Sequence, residues 1–220
     1  IRDRVKDWMR DHARAYDYAC EGRSGEEAMW WMLLAQEGYA DHGTGDHSRA
    51  MVTLLLDVRK CFDTTSCTQL WRWGRHHAFP HVLLRMVLLT FEMPRRLIAA
   101  GSFGRQVQTS WAMVAGSCFS IALLHAMMLT PCDTLVRNVG NIQSATVGVT
   151  KYVDDLSITV QGTISSCREA VWQAFDEVKG GFADLGWRLS LNKETAQGKT
   201  VLLTTNSALA ESLLRPAKRR

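Results

Sequence analysis

One segment of the chain places two acidic residues between two stretches that otherwise favour a buried sheet. Residues 146–160 read TVGVTKYVDDLSITV, with apolar and β-branched residues on both sides of Asp154 and Asp155. Neighbouring side chains of a strand point to opposite faces, so adjacent aspartates inside one regular strand do not serve a common site. At a tight turn between antiparallel strands, both carboxylates project near the tip. We therefore predict a β-hairpin with Asp154 and Asp155 at its bend.

The predicted turn lacks the glycine or asparagine that a two-residue hairpin prefers. A departure of this kind indicates a functional or strained position. The alternative is an ordinary solvated turn, since aspartate is a common turn residue. The segment alone does not decide between the two.

A third acid ends a separate apolar run. Residues 51–57 read MVTLLLD, which is typical of a strand buried on both faces. Two such strands ending side by side in one sheet would bring Asp57 next to Asp154. Converging carboxylates repel each other unless a cation lies between them.

Oxygen ligands without nearby His or Cys suit Mg²⁺ or Mn²⁺. Two such ions can activate an attacking oxygen and stabilise a leaving phosphate oxygen. The three acids therefore indicate nucleotidyl or phosphoryl transfer.

Helical and extended patterns follow each other without strict βαβ order. Apolar periodicity predicts helices at 26–40, 66–77, 80–93, 117–139 and 165–186. Ser24 is the expected cap of the first, and Pro131 interrupts the fourth or marks its boundary. Strands are predicted at 187–192 and 200–206, and a hairpin around a turn at 101–104. This order favours an α+β fold in which helices cover a sheet.

Composition limits the classes of protein. With 220 residues, 46% of them hydrophobic, the chain suits one large domain with a core, and its net charge of +4 permits a polyanionic partner. Its six cysteines form no C-x-x-C pair, which argues against zinc and for reduced thiols. The N-terminus is charged, and glycine, serine and histidine break the longest uncharged run. We expect an intracellular protein of the nucleus or cytoplasm, with no membrane partner.

In their order along the chain, several segments resemble the sequence motifs of reverse transcriptases. LLLDVRKCFD (54–63) is similar to motif A, VAGSCFSIALL (114–124) to motif B, YVDD (152–155) to motif C, and LGWRLSLNKETAQGKT (185–200) to motif D. ACEGRSGEEAMW (19–30) resembles the fingers of non-LTR retrotransposon and group II intron enzymes. YVDD alone is weakly specific, whereas the ordered set over roughly residues 18–205 is strongly specific.

The resemblance implies an RNA-directed DNA polymerase of a retroelement, acting on an RNA or DNA template, a DNA primer and deoxynucleoside triphosphates. It implies a ferredoxin-like palm sheet backed by helices at 49–205, partial fingers at 1–48, and a tail at 206–220 leading towards an absent thumb. Without a thumb to hold primer and template, we expect no processive synthesis from the chain alone.

By position, the resemblance also implies the metal site. Asp57 and Asp154 would bind Mg²⁺, or Mn²⁺, together with the backbone carbonyl of Val58, and Asp155 would support them. Tyr152 would lie near the primer.

The same resemblance implies the nucleotide site. Phe62 matches the aromatic residue that blocks a ribose 2′-OH, and amides near Lys60 and Cys61 would hold the triphosphate. The remaining matches are Gly116 of motif B, Lys193 or Lys199 as the general acid of motif D, and Arg23 facing phosphates or template.

Two departures affect nucleotide positioning, since Ala115 and Ile121 replace the usual glutamine and proline of motif B. Arg72 and Arg75 in WRWGRHH are either template contacts or solvated side chains. An RNA-dependent RNA polymerase and an inactive nucleic-acid-binding remnant remain as alternatives, although Phe62 disfavours the former. A receiver-type phosphoacceptor domain would carry its acids in the reverse order.

Overall fold

The computed structural model describes residues 2–42, 48–96, 98–108, 113–114, 116–140, 142, 145–191 and 199–214. Its helices are α1 (Arg2–Asp11), α2 (Gly25–His42), α3 (Cys61–Thr64), α4 (Cys67–His76), α5 (His81–Glu92), α6 (Ser120–Val139), α7 (Ile164–Asp184) and α8 (Ser207–Leu214). Its strands are β1 (Arg49–Leu56), β2 (Ile98–Ala99), β3 (Ser102–Phe103), β4 (Ala145–Tyr152), β5 (Asp155–Thr163) and β6 (Val201–Thr204).

The main sheet has the strand order β4-β5-β1-β6, and every neighbouring pair is antiparallel. β1 and β5 are central, and their side chains at Val52, Leu54, Ile158 and Val160 are at most 4% exposed. Helix α7 packs against β1 and β5, and α6 packs against α7 and α4. This arrangement of helices over an antiparallel sheet confirms the predicted α+β class.

Helix α6 supplies the largest share of the buried side chains, including Leu123, Leu124, Met127, Met128 and Leu129. It continues through Pro131 without ending there, so the predicted boundary at this proline was wrong. Pro131 instead packs against α7 at Gly181, where an added Cβ would lie 2.8 Å from the Pro131 Cβ. The absence of a side chain at Gly181 therefore allows the two helices to approach closely.

Most predicted helices are confirmed to within a few residues at each end. Ser24 caps α2 as expected, because its hydroxyl accepts a hydrogen bond from the Glu27 amide at 3.1 Å. α8 lies inside the predicted tail, and its Leu209 and Leu213 are buried. These two leucines of the predicted tail thus belong to the packed core.

Two extended segments differ from their predictions. In the β2–β3 hairpin the turn is formed by Ala100 and Gly101, which have φ angles of 48° and 76°. The predicted turn at 101–104 was therefore shifted, and Ser102 and Phe103 form β3 instead. In the segment predicted as a strand at 187–192, Leu189 forms an isolated antiparallel bridge with Val58.

No helix in the described part of the chain is long and apolar enough to cross a bilayer.

The contact between Pro131 and Gly181 yields a paired stability test. Gly181→Ala should lower the free energy of unfolding by about 1–3 kcal/mol, because the added methyl group meets a rigid ring. Gly180→Ala is the control, since nothing lies within 4 Å of its Cβ position, and it should raise stability by roughly 0.5–1 kcal/mol through lower chain entropy. Urea unfolding measures both. Equal effects would contradict the close packing.

Candidate active site

The hairpin of β4 and β5 presents the acidic pair, with a turn one residue earlier than expected. Tyr152 pairs with Asp155, so the two turn residues are Val153 and Asp154. Asp155 is the first residue of β5, which corrects the prediction of both aspartates at the bend. Val153 has a φ of 56°, a conformation that β-branched residues rarely adopt. The strain inferred from the missing glycine is therefore present, at Val153.

Asp57 lies beside this turn because of the strand register. Leu56 of β1 pairs with Leu156 of β5 in an antiparallel register. Asp57, the next residue after Leu56, therefore lies beside Asp155, the residue before Leu156. Two residues that precede β6 in the sequence bind the backbone of Asp57. The Asp57 carbonyl accepts a hydrogen bond from the Ser190 amide at 2.8 Å, and the Asp57 amide donates to the Thr200 hydroxyl at 3.5 Å. The structure thus places Asp57 close enough to Asp154 and Asp155 for their charges to interact.

The carboxylates influence one another's ionisation. Burial raises the pKa of Asp154 above its ordinary value, and the charge of Asp57 raises it further, against the opposing effects of its own amide and Lys199. Burial also raises the pKa of Asp155, with added contributions from Asp154 and Asp57. The folded chain therefore places like charges close together in a partly dehydrated environment, which costs stability at neutral pH.

Lys199 is the cation nearest to Asp57 among the described residues. Its Nζ lies 3.7 Å from an Asp57 carboxylate oxygen, although the lysine side chain is 75% exposed and that of Asp57 is 21% exposed. Lys193, the other motif D candidate, lies outside the described residues. The structure thus places Lys199 at the acids and leaves the role of Lys193 as a prediction.

The donor set of the site consists of carboxylate oxygens, which suits a hard divalent cation. Asp57 and Asp154 repel each other in a half-buried position, and a cation would relieve that repulsion. Within the described ranges, no three His, Cys, Asp or Glu side chains are grouped so that they could hold a metal ion. Among the described residues, the carboxylates of Asp57 and Asp154 suit such a cation, and the backbone carbonyl of Val58 as a further ligand stays a prediction.

A cleft of about 480 Å³ opens beside the acids. It lies between α2 and the sheet and is lined by Asp57, Asp155, Tyr152, Lys199 and apolar side chains of α2 such as Met29. Tyr152 forms part of its wall and lies against Gly25, where an added Cβ would be 3.1 Å from the ring. The glycine that begins α2 thus allows this helix to approach the turn closely.

The residues that follow Asp57 form the short helix α3. Lys60 precedes it in a left-handed conformation with a φ of 50° and is exposed. The Cys61 side chain is buried, and burial raises the pKa of its thiol. The negative charges of Asp154 and Asp57 raise this pKa further. Phe62 is partly buried against the core, and its carbonyl accepts from the Met113 amide at 2.9 Å. This hydrogen bond links Phe62, in the segment that resembles motif A, to the residue that directly precedes the segment resembling motif B.

Gly116 has a φ of 84°, a region that favours glycine. No atom lies within 4 Å of the position a Cβ would take. Glycine is thus required here by backbone conformation, and close approach of a substrate stays a prediction. Ala115 lies outside the described residues.

The Arg23 side chain contacts the loop that precedes it. Its guanidinium donates to the carbonyls of Arg14, Ala15 and Asp17 and lies 5.1 Å from the centre of the Tyr18 ring. These contacts hold the preceding loop in place. The predicted contact of Arg23 with phosphates or template stays a prediction.

Arg72 and Arg75 stack on Trp73 and Trp71, with distances of 5.5 Å and 5.6 Å to the ring centres. They line a groove that shares no residue with the cleft beside the acids.

Sequence reasoning missed a buried cluster of Asp17, His125 and Lys151 next to the turn. The available signal was Lys151, a lysine within an otherwise strand-like segment. Its partners come from distant parts of the chain and follow no spacing rule.

No protein-family model and no curated protein sequence matches the chain. Among solved structures, the apo telomerase of Candida tropicalis, truncated from its C-terminal domain, aligns with 92% of this chain at 10% identity and a TM-score of 0.55. The telomerases of Candida tropicalis and Candida albicans, each in complex with a TWJ fragment of telomeric RNA, align with 94% and 92% of this chain, at 10% and 11% identity and TM-scores of 0.63 and 0.55.

The chain therefore shares its fold with these telomerase structures. It spans 33–40% of the length of the three telomerase chains. At such low identity the likeness establishes the fold, and it does not extend to the non-LTR or group II type.

The raised pKa of Asp154 yields a stability test. A raised carboxyl pKa means that the folded state favours the neutral form, so stability is lost as the pH rises through that pKa. At pH 7 without divalent ions, Asp154→Asn should therefore increase the free energy of unfolding. The gain should be at most about 1 kcal/mol, because water screens a half-exposed carboxylate.

Asp63→Asn is the matched control, because Asp63 is exposed in α3 and should change stability by less than about 0.5 kcal/mol. Denaturant unfolding in a chelating buffer measures both variants. An Asp154→Asn protein that is less stable than the parent would contradict the repulsion described above.

Proposed function

We propose that this chain is the catalytic core of an RNA-directed DNA polymerase of a retroelement. The observation that carries the proposal is the convergence of Asp57, at the end of β1, with Asp154 and Asp155 of the adjoining hairpin. Their mutual effect on ionisation supports this arrangement. The telomerases that share the fold include two in complex with RNA, which supports nucleic acid as the partner.

In this proposal Asp57 and Asp154 hold Mg²⁺ or Mn²⁺ together with the carbonyl of Val58. When bound, the ions supply the charge that activates a primer 3′-hydroxyl and stabilises the leaving pyrophosphate. Asp155 supports the pair through its electrostatic coupling to both acids. The repulsion between the carboxylates thus lowers the stability of the fold, and in this proposal bound cations relieve it.

Residues that line or adjoin the cleft take the remaining roles in this proposal. The Nζ atom of Lys199 lies 3.7 Å from an Asp57 carboxylate oxygen. In this proposal the lysine donates a proton to the departing phosphate or stabilises its negative charge. Tyr152, which is 43% exposed in the cleft wall, is the surface offered to the primer end. The backbones of Lys60, Cys61 and Gly116 would line the proposed nucleotide position. The hydrogen bond from the Met113 amide to the Phe62 carbonyl holds Phe62 beside the start of the segment that resembles motif B.

A catalytically inactive, nucleic-acid-binding remnant is the second candidate. The chain spans about a third of the length of two of the telomerase chains. The three acids themselves are present, which favours the active form.

Primer extension tests the proposed activity. On poly(rA) primed with oligo(dT), the chain should incorporate dTMP weakly, with Mn²⁺ favoured over Mg²⁺. Asp154→Asn should abolish the signal, because it removes one of two cation ligands, whereas Asp63→Asn should retain it. Equal signal from the parent and Asp154→Asn would reject the assigned site, and no signal from a folded parent would support the remnant.

Sugar selectivity tests the role of Phe62 and separates DNA from RNA synthesis. Phe62→Val should raise ribonucleotide incorporation relative to deoxynucleotide incorporation by at least about tenfold, because a pocket that rejects a hydroxyl by steric contact loses that contact. Phe103→Val is the control, since Phe103 is 70% exposed on β3. Selectivity ratios from single-nucleotide extension decide the matter. An unchanged ratio in an active Phe62→Val protein would remove Phe62 from this role.

A further inference from the structure

A buried ionic cluster lies directly behind the acidic turn, and the chemistry proposed above does not use it. Asp17, His125 and Lys151 are 0%, 2% and 1% exposed. One Asp17 carboxylate oxygen lies 2.6 Å from Nδ1 of His125 and 3.0 Å from Nζ of Lys151. Groups this deeply buried do not contact a substrate, so any part they play in catalysis is indirect.

Each member of the cluster has further partners that restrict its geometry. The second Asp17 oxygen accepts a hydrogen bond from the Ala19 amide at 3.0 Å. Nε2 of His125 lies 3.2 Å from the His12 carbonyl oxygen. Burial by itself raises the pKa of Asp17, but the hydrogen bond from His125 and the charge of Lys151 lower it to about 2. Asp17 therefore remains an anion at neutral pH and holds both partners.

Two backbone hydrogen bonds also connect Lys151 to the segment around Asp17. The Lys151 amide donates to the Tyr16 carbonyl at 2.7 Å, and the Tyr18 amide donates to the Lys151 carbonyl at 2.8 Å. Asp17 and Lys151 thus form a parallel bridge at the edge of β4. Only Tyr152 and Val153 separate this doubly held residue from Asp154.

Residues 14–18, which we name the strap, are themselves anchored to α6. The Arg14 guanidinium donates to the Asp133 carboxylate at 3.1 Å, and the Tyr16 hydroxyl donates to it at 2.7 Å. The strap therefore meets α6 at Asp133 and again at His125, two turns apart. Through the strap, the helix that follows motif B is joined to the hairpin of motif C.

A buried ion pair is a poor source of net stability, because dehydration of the charges offsets their attraction. What such a pair supplies instead is a defined geometry. The turn beyond Lys151 needs such a restraint, since Val153 holds a strained backbone conformation that persists only where its surroundings enforce it.

We propose that Asp17, His125 and Lys151 are positioning residues that hold the acidic turn in place beside Asp57. The catalytic consequence of this role rests on the proposed function, whereas the restraint on the turn does not. Loss of the cluster should loosen the turn and slow the chemical step with little effect on nucleotide affinity.

The test uses the double variant Asp17→Asn/Lys151→Met. It removes both charges but leaves no buried charge unpaired, because an asparagine amide can still donate to Nδ1 of a neutral His125 and accept from Ala19. Tyr16→Phe is the matched control, since it removes a hydrogen bond of the strap without touching the cluster. Hydrogen–deuterium exchange of amides 152–157 is the first measurement, and single-nucleotide extension with Mn²⁺ is the second.

In the double variant, exchange at 152–157 should be at least about tenfold faster than in the parent. The incorporation rate at saturating dTTP should fall at least about tenfold, with KM within about threefold, because small displacements of catalytic groups cost rate. Tyr16→Phe should match the parent in all three quantities. Unchanged exchange at 152–157 in the double variant would overturn the proposal.

If the double variant does not fold, Lys151→Arg takes its place, because it retains the charge and changes the geometry, and the same faster exchange is expected. If the parent protein incorporates no nucleotide but the variant still exchanges its 152–157 amides faster than the parent, the proposed function is rejected and the restraint on the turn is retained. An active parent without that contrast rejects the restraint alone.

Discussion

The antiparallel register between β1 and β5 is the constraint on which the site depends. Leu56 pairs with Leu156, and this pairing alone determines that Asp57 stands next to the start of β5. A slip of one residue would turn every side chain of the strand to the other face. Such a slip is opposed by the burial of Leu54 and Ile158, which are 4% and 0% exposed. The apolar packing that drives folding therefore also sets the position of the acids.

The acids are held together against their own repulsion. Burial and neighbouring charge raise the pKa of Asp154 and Asp155, so the fold bears a cost at neutral pH. Lys199 offsets little of that cost, since an exposed ion pair contributes at most about 1 kcal/mol. Local instability of this kind is typical of functional sites. The strap is hydrogen-bonded to Lys151, three residues before Asp154.

Much of this arrangement could be predicted from the sequence. The hairpin around Asp154, the strand ending at Asp57 and the long helices follow from periodicities of two and about 3.6 residues, which reflect local geometry. Turn positions were less predictable. The bend comprises Val153 and Asp154 because Tyr152 pairs with Asp155, and no local preference favours a valine at positive φ. Only the packing of the whole hairpin imposes it.

By itself, the sequence determined the α+β class, the three acids and their order along the chain, since these depend on residue type and local spacing. The tertiary structure decided which groups meet. It brought Lys199 to Asp57, directed Arg23 to the strap, and joined Asp17, His125 and Lys151 across 134 positions of the chain, from 17 to 151. Contacts between residues so far apart in sequence depend on how the elements pack. Packing also decided that Asp154 lies in the turn and its neighbour Asp155 in the strand.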